Sequence, residues 1–193
     1  MAEVVAETER LRLREWDDED EVRFYEVMNR PEVMRYLGGL QLPDEWRAAY
    51  HRVRGYQREF GFTFWIIEDR STGEILGFCG LKRANAPGGE AISGEVEIGW
   101  RLRPEMWGQG MAKEAAIASL DLAFGRFSAP RVVAVTAADN APSQGLMKRL
   151  GMQRRRDLDF IDERFAPDSE VNPQVVYVIE SGDWPAARAA ALS

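Results

Sequence analysis

Across residues 94–116, GEVEIGWRLRPEMWGQGMAKEAA, the periodicity of apolar residues changes once. From Glu95 to Leu102 polar and apolar residues alternate, which is the period of a strand. Pro104 breaks the run. From about Gln109 to Phe124 the spacing of Ala112, Ala115, Ala116, Ser119, Leu120 and Ala123 is helical. A strand that passes through Gly108-x-Gly110 into a helix makes an anion site, or is an ordinary structural helix start. The first backbone N–H groups of a helix have no partner within it, and the helix dipole is positive there. Glycine lets the backbone approach an anion and adopt positive φ. Alternation sets Glu95, Glu97, Gly99 and Arg101 on one strand face and Val96, Ile98, Trp100 and Leu102 on the other.

Other phosphate motifs fail on spacing. A dinucleotide fingerprint needs a third glycine where Lys113 stands, and nothing fits a P-loop. A Gly-x-Ser-x-Gly nucleophile elbow is missing as well.

The rest of the chain alternates helix and strand, which predicts an α/β (α+β) fold in a single domain over 1–193. The spacing predicts a strand at Leu11–Leu13 and a helix capped by Asp17 and running to about Asn29, with Asp20 in the capping-box position. Short and long helices open at Pro31 and Pro43. A hairpin pairs Phe62–Glu68 with Ile75–Lys82, and Asn85–Gly89 is a loop. Arg131–Ala137 reads as a buried strand, followed by a helix capped by Asp139 or Asn140 and closed at Gly151. Weaker strands are expected near Asp157–Ile161 and Gln174–Glu180, and a short helix over Pro185–Leu192.

Composition narrows the function classes. The 193 residues carry a net charge of −7, which argues against a nucleic-acid partner and suits a cationic substrate. Arg154, Arg155 and Arg156 read as a solvated loop or strand start. The single cysteine, Cys79, reads as a buried strand residue, and the single histidine, His51, as a helix residue. One of each makes no zinc site, and no metal is expected. The opening residues lack a signal-peptide core and no run is of membrane-spanning length, so a cytoplasmic chain with no membrane partner is the expectation.

The loop Trp107-Gly108-Gln109-Gly110-Met111-Ala112 resembles the pyrophosphate loop of GNAT N-acetyltransferases, Gln/Arg-x-x-Gly-x-Gly/Ala. Gly110 and Ala112 match. Trp107, in place of Gln or Arg, is typical of the ribosomal-protein N-terminal (alanine/serine) acetyltransferase-like branch. Thr8–Arg14 resembles that branch's opening strand, and Glu97-Ile98-Gly99-Trp100 its central strand. Asn140-Ala141-Pro142-Ser143 with Leu150-Gly151-Met152 is similar to its Asn-x-x-Ser … Leu-Gly-Phe helix. Val176-Tyr177 and Trp184 resemble its closing strand and tail.

The resemblance implies a central mixed, mostly antiparallel, splayed β-sheet flanked by helices. It implies acetyl-CoA as cosubstrate and an amine acceptor. The cofactor would meet backbone groups of Trp100, Arg101 and Leu102 and the loop Trp107, Gly108, Gln109, Gly110, Met111 and Ala112. Asn140 matches a residue that contacts the cofactor arm, and it is equally placed to cap a helix. Glu97 matches the position of the general base, against a reading as a solvated strand carboxylate; Glu95 is its neighbour. The tyrosine that many relatives use as general acid is missing, and Ser143 is the candidate in its stead, or a helix-start residue. Trp46, Tyr50, Tyr36 and Phe165 are candidate acceptor-side aromatics, or core. The alternatives are a catalytically inactive acyl-CoA-binding sensor or interaction protein on the same fold, and a nucleotide-binding α/β protein. A homodimer is the ordinary prior.

Overall fold

The computed structural model describes residues 2–193, which form two compact units. The first comprises the chain up to Arg35, Gly39–Lys82 and Gly99–Ser119; the second comprises Tyr36–Gly38, Arg83–Ile98 and Leu120–Ser193.

In the first unit, β1 (Val4–Glu7), β2 (Leu11–Arg14), β3 (Phe64–Asp69) and β4 (Ile75–Arg83) lie in the order β1-β2-β3-β4, followed by the later part of β5 (Val96–Leu102). The β1–β2, β2–β3 and β3–β4 pairs are antiparallel. The β3–β4 turn is tied by Asp69, whose carboxylate accepts the Ser71 and Thr72 N–H groups. Helices α1 (Asp20–Met28), α2 (Pro31–Met34) and α3 (Pro43–Phe60) bury Trp16, Phe24, Met28, Met34, Trp46 and Tyr50 with Ile66 and Phe78. Pro43 opens α3 at a position that needs no N–H donor. Glu45 accepts the Leu42 N–H at 2.8 Å, and Gly61 ends the helix at φ 74°.

A buried charge cluster fastens α1 to this sheet. Arg14 donates to both Asp20 oxygens, at 2.6 and 2.9 Å, and to Glu68 at 2.6 Å. Asp20 also accepts the Asp17 N–H at 2.6 Å, the backbone half of the expected capping box. The helix itself begins at Asp20, two residues later than a cap at Asp17 would start it.

The second unit holds the start of β5, β6 (Arg131–Ala137), β8 (Gln174–Glu180) and β7 (Gln153–Arg154), in the order β5-β6-β8-β7. Helices α5 (Ala141–Arg149) and α6 (Trp184–Leu192) and the end of α4 (Met111–Phe124) complete it. β6 and β8 pair antiparallel along their whole length, from Arg131↔Glu180 to Ala137↔Gln174. β5 and β6 run parallel, with Val96↔Val132 and Glu97↔Val133 in register. That register is short for two seven-residue strands, as a splayed pair requires. Val133, Val176, Val178, Ile92 and Phe160 form a core here. Trp184 and Arg188 both donate to Asp121 on α4, at 2.9 and 2.8 Å.

The expected fold class holds: a mixed, mostly antiparallel sheet flanked by helices. One local expectation does not, and β1 has no counterpart among the expected strands. The strand expected near Asp157–Ile161 is a 3-10 turn at Arg156–Leu158 followed by a single bridge, Phe160↔Gln174. Asp159 causes this. Its carboxylate accepts the Val176 N–H at 3.1 Å and binds Arg154, so a side chain takes a ladder position that backbone would fill. The arginine run is neutralised in the same place, with Arg154 on Asp159 and Arg155 on Asp157. No helix among the described residues is long and apolar enough to cross a membrane.

Candidate active site

After β5 the chain makes a 3-10 turn at Pro104–Met106 and enters the loop Trp107–Gly110. Gly108 and Gly110 have φ of 74° and 79°, the left-handed region where a side chain is strained. The Gly110 carbonyl accepts the Glu114 N–H at 3.0 Å, which is the first bond of α4. Among the described residues, nothing accepts from the backbone N–H groups of Gln109, Gly110, Met111 and Ala112. Trp107 to Gly110 are exposed, while the Met111 side chain is buried and anchors the turn. The result is an accessible run of unpartnered donors at the positive end of a fourteen-residue helix. Ala115 and Ala116 are fully buried, as tight packing of that helix needs.

A clamp that sequence reasoning missed fixes this loop. The Glu114 carboxylate accepts from the Thr8 hydroxyl at 2.6 Å, the Arg10 N–H at 2.9 Å and Arg10 Nε at 2.7 Å. Arg10 also donates to the Gln109 carbonyl at 3.0 Å. Burial alone would raise the Glu114 pKa, but the Thr8 and Arg10 donors outweigh it and hold the carboxyl below its ordinary value of 4.5. Thr8 and Arg10 belong to the opening motif already singled out; the missing signal was their partner, more than a hundred residues away.

Trp107, the residue that replaces Gln or Arg, donates its indole N–H to the Leu102 carbonyl at 2.8 Å, and its ring stays 51% exposed. The Gln109 side chain donates to the Glu105 carbonyl at 2.5 Å. A Cβ on Gly77 of β4 would overlap the Arg101 carbonyl oxygen, so that carbonyl is turned towards β4. Successive strand carbonyls point to opposite edges, which turns the Trp100 and Leu102 carbonyls the other way, where that of Leu102 is taken by the Trp107 indole. The Arg101 side chain reaches instead into the aromatic cluster of the first unit. Its Cζ lies 5.0 Å from the Phe78 ring centroid and one Nη lies 3.5 Å from Met34 Sδ.

Within the second unit, Glu97 is half-buried on β5. Its neighbour Glu95 is held by Arg131 in a bidentate pair at 2.6 and 3.0 Å, which commits Glu95 to structure. Asn140 caps α5: its Oδ1 accepts the Ser143 N–H at 3.3 Å and its amide donates to Thr136 at 2.9 Å. The Ser143 hydroxyl is half-buried and has no hydrogen-bond partner among the described residues. Of the four aromatics, Trp46 and Tyr50 are core, each 5% exposed, whereas Tyr36 and Phe165 are half-buried. Cys79 is wholly buried against Ser119, and burial pushes its thiol up to about 12, so it is an unreactive strand residue.

A family model described as acetyltransferase (GNAT) domain matches residues 10–153, a span that contains the loop, Glu97, Asn140 and Ser143. The chain belongs to the GNAT acetyltransferase family. This GNAT chain is 32% identical over 146 residues to the protein YkkB of Bacillus subtilis (strain 168), covering 75% of this chain and 83% of that one. It matches the crystal structure of an acetyltransferase from Agrobacterium tumefaciens str. C58 with a TM-score of 0.72 and 27% identity, over 91% of this chain and 93% of the other. The ribosomal-protein-S5-alanine acetyltransferase from Vibrio fischeri shares the fold, with a TM-score of 0.70 at 16% identity over 94% of this chain and 99% of its own.

Proposed function

We propose that this GNAT chain transfers the acetyl group of acetyl-CoA to a primary amine, on a protein N-terminus or a small molecule, by direct attack on the thioester. The observation that carries the reading is the run of four unpartnered N–H groups from Gln109 to Ala112. Each bond from such a donor to a charged phosphate contributes roughly 1.5–3 kcal/mol, so a few of them hold a diphosphate. Trp107 and Gly108 shape the loop, and the backbone of Trp100–Leu102 offers an edge to the pantetheine arm. Asn140, whose amide is spent on Thr136 and the Ser143 N–H, serves the cofactor arm by fixing the start of α5.

In the reaction a bond forms between the amine nitrogen and the acetyl carbon, and the carbon–sulfur bond breaks. Glu97 takes the proton that the ammonium must lose. For an α-amine of pKa about 7.7–8.0 the neutral form costs only about 1–1.4 kcal/mol at pH 7, so a half-buried carboxylate is a sufficient base. The Ser143 hydroxyl is available to give a proton to the leaving thiolate. A thiol of pKa about 8.5 leaves readily, so this donor assists rather than decides.

The test pairs calorimetry of CoA with thiol release from acetyl-CoA over a panel of amines, for wild type and Glu97→Gln. Binding in both proteins with turnover lowered at least about a hundredfold in the variant is the expected result. Binding without thiol release from any amine would leave the acyl-CoA-binding alternative. No heat from CoA would end both.

A further inference from the structure

Several arginines of this chain are met by carboxylates. Buried Arg14 has Asp20 and Glu68, Arg131 has Glu95, and Arg103 has Glu74. Arg101 differs in having no carboxylate partner; its Nε, like that of Arg103, is wholly buried and has no hydrogen-bond partner. The one hydrogen bond its guanidinium makes is to a thioether, Met34 Sδ, and its flat face lies over Phe78. No carboxylate among the described residues pairs with it. The walls around it are apolar: Met34 is fully buried, Phe78 is 9% exposed, and Phe64 stacks on Phe78 at 4.8 Å. Phe64 comes so close to β5 that a Cβ on Gly99 would press into its ring.

A guanidinium in apolar surroundings is retained at a cost unless an anion completes it. Burial lowers the Arg101 pKa to about 10, which still leaves it a cation at neutral pH. Arg101 as a residue keeps partial exposure, while its Nε is wholly buried. Its planar fork of N–H donors matches the two oxygens of a carboxylate. In the sequence Arg101 follows Glu97 by four residues, a spacing that strand alternation assigns to one face.

We propose that Arg101 is a specificity-determining residue that pairs with a carboxylate on the acceptor, so that the preferred substrate is an amine bearing a carboxylate, of amino-acid type, rather than a polyamine. This rests on the acetyl-transfer reading above, in which Glu97 receives the acceptor's proton. The phosphates of the cofactor are the competing anions, but the donors of Gln109–Ala112 already serve them.

The experiment measures kcat/KM with acetyl-CoA for amino acids and for their carboxamides, in wild type, Arg101→Met and Arg101→Lys. Comparing the acid-to-amide ratio between proteins cancels the different basicities of the amines. Wild type should favour the acid relative to the methionine variant by about tenfold or more, the lysine variant should recover part of this, and CoA affinity should be unchanged. An equal ratio in wild type and Arg101→Met overturns the proposal, as does a loss that falls on CoA binding instead. Should Arg101→Met fail to fold, Arg101→Gln carries the comparison, and an unchanged ratio there is equally fatal. Calorimetry of the same amino acids with CoA-saturated protein separates the two readings. Carboxylate-dependent heat that Arg101→Met abolishes upholds the anion site even where no amine is acetylated; no such heat in wild type, together with no preference in turnover, sinks it.

Discussion

At the residue scale, the two buried arginines of the first unit show what a paired charge does for stability. Arg14 is closed off by Asp20 and Glu68, with exposures of 9% and 1% for the Arg14 and Asp20 side chains. Removing Arg14 leaves two buried carboxylates uncompensated, so Arg14→Met should cost about 3–5 kcal/mol in urea unfolding. Arg101→Met should cost far less, because the charge it removes has no counter-ion to strand. Glu95 teaches the same lesson about catalysis. It shares a strand face with Glu97, but Arg131 holds both its oxygens, and a carboxylate committed to a bidentate pair is a poor base.

At the scale of elements, the Thr8–Arg10–Glu114 clamp ties the N-terminal strands to the first turn of α4. Its pH dependence has a definite sign. The Glu114 carboxyl is held below its usual 4.5, so its contribution is fully present above that value and is lost as pH falls through it towards the folded-state value. Thermal unfolding of Glu114→Gln should thus lag wild type by about 1–2 kcal/mol at pH 7, and the gap should narrow as pH falls below 4.5. What the sequence disclosed follows the same division between local and distant causes. β6, β8 and α3 stand where their periodicity puts them, because a long buried run or an amphipathic helix declares itself locally. The loop glycines were legible for the same reason: positive φ is a property of one residue. β1 was not, since a four-residue strand paired with β2 at the end of the strand order carries little pattern. Nor was the turn at Arg156–Leu158, where one carboxylate, Asp159, displaces a ladder. Glu95, Arg10 and Arg101 each depend on partners 36 or more residues away, or on the lack of one, and spacing does not show that.

For the whole molecule, ligation is the informative perturbation. Free CoA at about a hundred times its Kd should add about 2.7 kcal/mol to folding stability. In a chain of this length that is roughly 5–10 °C in Tm, readable by scanning calorimetry. Gly110→Val should fold, with some loss from strain at its φ of 79°, and show little of the shift, because the donor run at the start of α4 would be displaced. Of the six tryptophans, Trp16, Trp46, Trp65 and Trp184 are buried, Trp100 is half-buried, and Trp107 has half its surface in water. The indole that a soluble quencher reaches first is therefore the one seated at the mouth of the loop. The long-wavelength edge of the protein's fluorescence reports on that loop, and the bulk of the emission reports on the interior.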